Sequence, residues 1–447
     1  MISTASLIAL FVGVALLLLL ILFFRIHAFL ALLICSIVTG LMAGLDSGAM
    51  IATIKSGMGG TLGFVATVVG LGAIFGAILE KSGGAQAIAQ FLLKKFGQDK
   101  SPVAMLLCGF IVAIPVFFDV AFIILVPIIY SLQKSSKKSL LYYAIPLLAG
   151  LAITHSFIPP TPGPVAVADI LGADLGSVIL IGFLVGIPTA LVSGLMFGKY
   201  IAKRIHIDAP MDNLEPSSDI DLPSPSFILA IIAIPIALIL LNTGIDSNLI
   251  TIANPTTKDM LIMLGHPFSA LIIANLIVWY VLGIRRGFTK DDLFKISSES
   301  FKPVGTIILL TGAGGVFKQV LVDTEIGEQI ANTLTEAGIP IIFFAFIAAA
   351  IVRVLQGSAT TAMITAAGLV SPLLIGADTY TGLSLACIVI AIASGASIFS
   401  HVNDSGFWLV SQYLGTDEKQ TFRSWTMMTT LLALSGLVMS TILFYIV

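Results

Sequence analysis

Apolar runs long enough to cross a bilayer recur from residue 5 to the last residue. A span needs about 20 apolar residues at 1.5 Å rise each, and little of this chain lies between such runs. Only 10% of the residues are charged and 57% are hydrophobic, whereas a soluble chain carries about a quarter charged. So few charges cannot face water all round, and lipid is the solvent these residues fit. The longest polar stretch, Lys203 to Ser226, is a loop and leaves no room for a soluble catalytic domain. Net charge is −2, which excludes a nucleic-acid partner as the reading of choice. Cys35, Cys108 and Cys387 sit singly in apolar runs, without the close spacing of a metal or redox pair. No cofactor is expected. Met1 to Ser6 lacks a positive n-region and no small-residue cleavage site follows, so an uncleaved first span is expected.

The second half repeats the first. Gly70-Leu-Gly-Ala-Ile-Phe75 aligns with Gly312-Ala-Gly-Gly-Val-Phe317 at an offset of 242. His27 pairs with His266 at 239, and His155 with His401 at 246. Order and near-constant offset make the repeat. Each half parses into six pieces: near 5–24, 28–44, 60–80 and 102–131, a span broken at His155 to Pro164 and a closing span near 177–202, then near 227–242, 266–283, 303–322 and 339–375, a span broken around Ser400 to Gly406 and a closing span near 425–446. The fourth is too long for one crossing and is interrupted, at Ile114–Asp119 in one half and Gln356–Thr361 in the other. Both read as re-entrant hairpins. Five crossings per half invert the second half relative to the first.

The expected fold is therefore an all-α polytopic membrane protein of two inverted-topology repeats. Each has five spans and one re-entrant hairpin, making ten spans, two hairpins and about 14 hydrophobic segments in all. Repeat one covers 1–206, an acidic cytoplasmic linker covers 207–225, and repeat two covers 226–447. With both termini outside, 18 of the 22 Lys and Arg fall on the inner face and three on the outer, with Arg353 in a hairpin. That obeys the positive-inside rule. Gly83 to Phe96 reads as an amphipathic helix on the inner surface.

Broken backbone at membrane depth leaves N–H and C=O groups unpaired and is tolerated only where it lines a cavity. Helix N-termini gathered there suit an anion. Four interruptions qualify. Thr154-His155-Ser156-Phe157-Ile158-Pro159-Pro160-Thr161-Pro162-Gly163-Pro164 cannot continue a helix; the competing reading is an extracellular loop. His401, Asn403 and Asp404 crowd the matching place in the second half and are costly at depth; here an interfacial loop competes. At the second hairpin tip, Gly357, Ser358, Thr360 and Thr361 offer amides and hydroxyls. Arg353, one turn before, is a natural bidentate partner for a carboxylate; the alternative is a guanidinium snorkelling to headgroups. At the first tip Asp119 lies between Phe118 and Val120, where loss of water disfavours a charge and suits a proton carrier; capping a helix start is the alternative. His27 and His266 read as structural caps.

Gly57-Met-Gly-Gly-Thr-Leu-Gly-Phe64, His155-Ser-Phe-Ile-Pro-Pro-Thr-Pro-Gly-Pro164, Gln356-Gly-Ser-Ala-Thr360 and His401-Val-Asn-Asp-Ser-Gly-Phe-Trp408 resemble the gluconate:proton symporter (gluconate permease) family, in order and along the whole chain. That family lies in the ion transporter superfamily. The resemblance implies inverted repeats with paired hairpins, an elevator-like shift, often a homodimer, and a place in the bacterial inner membrane. It implies import of gluconate or a related sugar acid with H+, with D-serine carried by a side branch from which Arg353 sets this chain apart. Substrate contacts are then expected at His155, Thr161, Gly163, Arg353, Gly357, Ser358, Thr360, Thr361, His401 and Asn403. Protons are expected on Asp119, Asp404 or a histidine. An intramembrane enzyme using His155 or His401 with Asp404 would need neither the repeat nor paired breaks, and a passive channel would show conductance far above a carrier's rate.

Overall fold

Apolar residues in lipid must satisfy their backbone groups within their own segment, and helices do so. The structure, a computed structural model, describes residues 4–210, 222–247, 249–326, 340–374, 380, 382–402 and 404–447. Every regular element among them is helical. The first half holds α1 (Thr4–Leu22), α2 (Ala28–Met42), α3 (Ser47–Lys81), α4 (Gly84–Phe96), α5 (Ser101–Val112), α6 (Phe118–Ser136), α7 (Leu141–Phe157), α8 (Pro162–Leu171) and α9 (Leu175–Ala190). A wide π-turn at Leu191–Met196 carries α9 on to Ala202. The second holds α10 (Pro225–Asp246), α11 (Pro255–Gly265), α12 (Pro267–Val278), α13 (Lys290–Asp323), α14 (Ile341–Gln356), α15 (Ala359–Val370), α16 (Gly382–Ser397), α17 (Ser405–Leu414) and α18 (Met427–Phe444). Two more π-turns follow, Trp279–Gly283 after α12 and Phe422–Thr426 leading into α18. Eight helical stretches among the described residues are long and apolar enough to cross a membrane. Six further apolar helices are shorter.

Two helices outrun the apolar patterning. Spans were expected over 60–80 and 303–322, yet α3 starts at Ser47 and α13 at Lys290. Asp46 caps α3, accepting from Ala49 N at 2.8 Å. Thr289 and Asp292 form a reciprocal capping box on α13. Hydropathy marks only the part of a helix that sits in lipid, so these polar starts carried no signal. At 1.5 Å per residue each helix is about 50 Å long, against a hydrocarbon core of about 30 Å. α11, capped by Asn254, lies where no element was expected. α4 falls within the expected amphipathic stretch and buries Ala85, Ile88, Ala89 and Leu92. Of the acidic linker, Asp208 accepts from Gln133 Nε2 at 2.8 Å, and 211–221 lie outside the described residues. His27 and His266 do cap helices: each Nδ1 accepts from the backbone N–H two residues on, at 3.2 and 3.3 Å.

α3 and α13 lie against each other along their lengths. Their closest approach is set by two glycines: a Cβ on Gly57 would stand 2.7 Å from Gly315 O, and one on Gly315 would stand 2.6 Å from Gly57 O. In lipid, where apolar burial gives no drive, such small-residue contact is what holds helices together. Gly57→Ala must therefore push backbone apart. We expect a loss of about 1–3 kcal/mol, read as a lower melting temperature of the purified protein; an unchanged melt would show that the helices do not meet there. At the centre, α7 and α16 are buried on nearly every side. α5 and α9 flank α7, while α14 and α18 flank α16.

Candidate functional site

The site grows from the way α14 ends. Gly357 takes φ +88, a left-handed conformation that costs a side-chain-bearing residue about 1–2 kcal/mol. This turns the chain, and Ser358 caps α15 by accepting from Thr361 N at 3.3 Å. Arg353, in the last turn of α14, is 4% exposed. It does not snorkel to the membrane surface. Its Nη1 donates to Gly357 O and its Nη2 lies 2.5 Å from Asp404 Oδ2.

Asp404 opens α17, where its Oδ1 accepts from Gly406 N at 3.0 Å. Its Oδ2 also accepts from Ser400 Oγ. Ser400 is held by α18 and the π-turn before it. Trp425 Nε1 donates to Ser400 Oγ at 2.7 Å, Thr426 Oγ1 donates to Ser400 O at 2.5 Å, and Ser400 N donates to Thr429 Oγ1 at 3.2 Å. The preceding Phe399 has φ +47, uncommon for a bulky residue. Two broken helices are thus tied together through one buried ion pair.

Beside that pair lies a cavity of about 500 Å³. Three helix N-termini line it: Phe118–Val120 of α6, Ser358–Thr360 at the start of α15, and Asp404–Gly406 at the start of α17. Each supplies unpaired N–H groups and a partial positive charge. His155 and Ser156 of α7, Ser397 of α16, Pro303 and Ile307 of α13, and Trp425 and Thr429 complete the wall. Ser397 Oγ donates to Ser156 Oγ at 3.1 Å, joining the ends of α7 and α16. Among the described residues, His155 Nδ1, Arg353 Nε and Gln356 Oε1 are buried with no hydrogen-bond partner. All three residues line the cavity. Buried polar groups are normally satisfied, so these are atoms a polar ligand could meet.

Of the residues singled out from sequence, His155, Arg353, Gly357, Ser358, Thr360, Asp119 and Asp404 come together on this wall. Thr361 is buried beneath it, its hydroxyl on Ser358 Oγ at 3.0 Å. Thr161 lies elsewhere, bonded to Ile158 O at 2.6 Å in a narrow gap beside Gly72 and Pro115. Gly163 packs α8 on α15, where an added Cβ would stand 2.6 Å from Met363 Sδ. His401 points behind α14, its Nε2 3.0 Å from Val354 O. Asn403 lies outside the described residues. Gln356, Ser156, Ser397, Ser400, Trp425 and Thr429 were not singled out as site residues. Gln356 and the serines adjoin the breaks and could have been; Trp425 and Thr429 sit in the unbroken closing span near 425–446 and gave no signal. A second cavity of about 200 Å³ shares Phe117, Val120 and Pro303 with the first and is lined by Glu80, Lys81 and Glu299.

Membrane-length helices, broken at several points around a buried polar cavity, fit a multi-pass membrane transporter. Residues 5–447 match the GntP family permeases, and the chain belongs to that family. It is 40% identical to the low-affinity gluconate transporter of Escherichia coli K12, over 99% of each chain. It is 38% identical to the gluconate permease of Pseudomonas aeruginosa, over 93% of this chain and 92% of that one. It is 36% identical to the Gnt-II system L-idonate transporter of E. coli K12, over 95% and 96%. Its fold resembles that of the YdaH transporter of Alcanivorax borkumensis, with TM-score 0.63 and 14% identity over 89% of each chain. The antimetabolite efflux pump MtrF of Neisseria gonorrhoeae is similar, at TM-score 0.62 and 16% identity over 89% and 85%.

Proposed function

We propose that this chain imports gluconate or a closely related sugar acid by proton symport. The observation that carries the reading is Arg353. A guanidinium is buried beside a cavity ringed by three helix N-termini, with its Nε unpartnered. This is a fitting seat for a carboxylate. Ser358, Thr360, Gln356 and His155 offer donors and acceptors to the hydroxyls of a sugar acid. The chain's relatives, two gluconate transporters and an L-idonate transporter, agree with this substrate class.

The transport cycle follows from an inverted repeat of 1–206 and 226–447. Supporting it, α5–α6 and α14–α15 have the same order in each half, as do α7–α8 and α16–α17, and His27 and His266 cap matching helices. α5 and α14 are 12 and 16 residues long, about 18 and 24 Å, too short to cross about 30 Å of hydrocarbon. This favours re-entrant hairpins, with both termini outside. The hairpins and broken helices are the moving body of an elevator, and α3 and α13 belong to the frame it slides past. The small cavity beside Glu80, Lys81 and Glu299 is its inner vestibule. A homodimer in the bacterial inner membrane completes the reading and rests on the family resemblance.

Proteoliposomes provide the test. Labelled gluconate should accumulate when the outside is acidified, and a sodium gradient alone should leave it at equilibrium. Excess L-idonate should compete and D-serine should not. Accumulation that requires sodium and ignores pH would overturn the coupling, and displacement by D-serine alone would overturn the substrate.

A further inference from the structure

The ion pair in the cavity wall has a consequence for how proton and acid are linked. Arg353 offers three nitrogens: Nη1 is on Gly357 O, Nη2 is on Asp404, and Nε is free. A bidentate carboxylate needs two adjacent nitrogens, and on the Nε edge the second is Nη2. We infer that Asp404 and the substrate carboxylate contest one guanidinium, so that a proton arriving on Asp404 releases Arg353 to bind the acid. This rests on the reading of the site as a sugar-acid symporter and says which group couples.

The charges around Asp404 favour that assignment. Asp119 from α6 and His155 from α7 line the same cavity, and Arg353 reaches in from α14. His401, on Asp404's own loop, is held on Val354 O. The cavity-lining stretch from the π-turn into α18, Trp425 to Leu432, carries no titratable carboxylate, lysine, arginine or histidine. An ionised acid would bring a third carboxylate to a wall that holds Asp119, Asp404 and a single guanidinium. Away from water such an excess is costly. Protonating Asp119 would lower the excess without freeing a nitrogen, because Asp119 is not Arg353's partner. Protonating Asp404 does both. The network accommodates either state: Ser400 Oγ donates to the carboxylate now, and its second lone pair can accept from the carboxylic acid while Trp425 Nε1 stays in place.

Linkage is reciprocal, so the acid must raise the proton affinity of the group it displaces. Adding gluconate to weakly buffered, detergent-purified protein should take up a proton. Affinity should weaken by up to about tenfold per pH unit above the transition, the slope of one linked proton. Asp404→Asn keeps an acceptor for the α17 cap but is neutral at every pH. It should abolish both the proton uptake and the pH slope, whereas Asp119→Asn should retain both. Ser400→Ala removes a donor to the carboxylate and should move the transition to higher pH, a readout available even if Asp404→Asn fails to fold. Proton uptake that survives in Asp404→Asn, or is lost in Asp119→Asn alone, overturns the assignment while leaving symport intact; so does an unmoved transition in Ser400→Ala. A wild-type protein that binds gluconate with no proton uptake overturns both readings.

Discussion

Arg353→Ala is expected to weaken gluconate binding at least about 100-fold, or ~2.7 kcal/mol. Truncating one partner of a buried, hydrogen-bonded charge pair costs about 2–5 kcal/mol, and Arg353 is both buried and forked. Part of any loss could come from Asp404, which the substitution strands without its cation. The double variant Arg353→Ala/Asp404→Asn separates the two effects: it leaves no lone charge, so its melting temperature should return toward wild type while binding stays lost. Arg353→Lys tests geometry against charge. An ammonium is a point charge and cannot form the parallel bonds of a guanidinium, so an intermediate loss of about tenfold is expected. Equilibrium binding of labelled gluconate to purified protein measures all three. Full-strength binding in Arg353→Ala would show that the acid is held by helix N-termini alone.

Much of the fold was legible because lipid imposes simple rules. Every apolar run must be a helix, and prolines at Pro159, Pro160, Pro162 and Pro164 must end one. The breaks between α5 and α6 and between α14 and α15 were visible as apolar stretches too long for one crossing, and that between α16 and α17 as His401, Asn403 and Asp404 crowded at membrane depth. The polar starts of α3 and α13 were not, since they depend on caps at Asp46 and Thr289 in regions without lipid-facing pattern. At the site, composition pointed to Arg353, Asp119 and Asp404 because charge at membrane depth is conspicuous. It could not show that Arg353 and Asp404, 51 residues apart, share one bond, because pairing depends on how two broken helices meet. Nor could it separate Thr161 and Gly163 from the cavity. Their segment looks like the other breaks, yet α8 is pressed against α15 and its entry turn against α3. Trp425 illustrates the remaining limit: an aromatic in an apolar span has no signature until its indole N–H finds Ser400.

Locking that entry turn to α3 should stop transport while sparing binding. A Cβ built on Gly72 of α3 stands 3.7 Å from Pro160 Cβ in the turn between α7 and α8. Disulfides form at Cβ separations of about 3.5–4.5 Å, so Gly72→Cys with Pro160→Cys should cross-link on mild oxidation. Cys35, Cys108 and Cys387 are buried and should not compete. If α7 and α8 travel with the hairpins while α3 stands in the frame, the bond ties the moving body to its support. Counterflow of gluconate in proteoliposomes should then fall at least about tenfold, the scale set by one 1.4 kcal/mol increment, and recover on reduction. Neither residue lines the 500 Å³ cavity, so gluconate binding to the oxidised protein should stay within about threefold of the reduced form, under ~1 kcal/mol. The reduced variant serves as its own control for the two substitutions. Complete cross-linking with undiminished counterflow would mean that α3 and the α7–α8 turn move as one, and the line between frame and moving body would have to be drawn elsewhere.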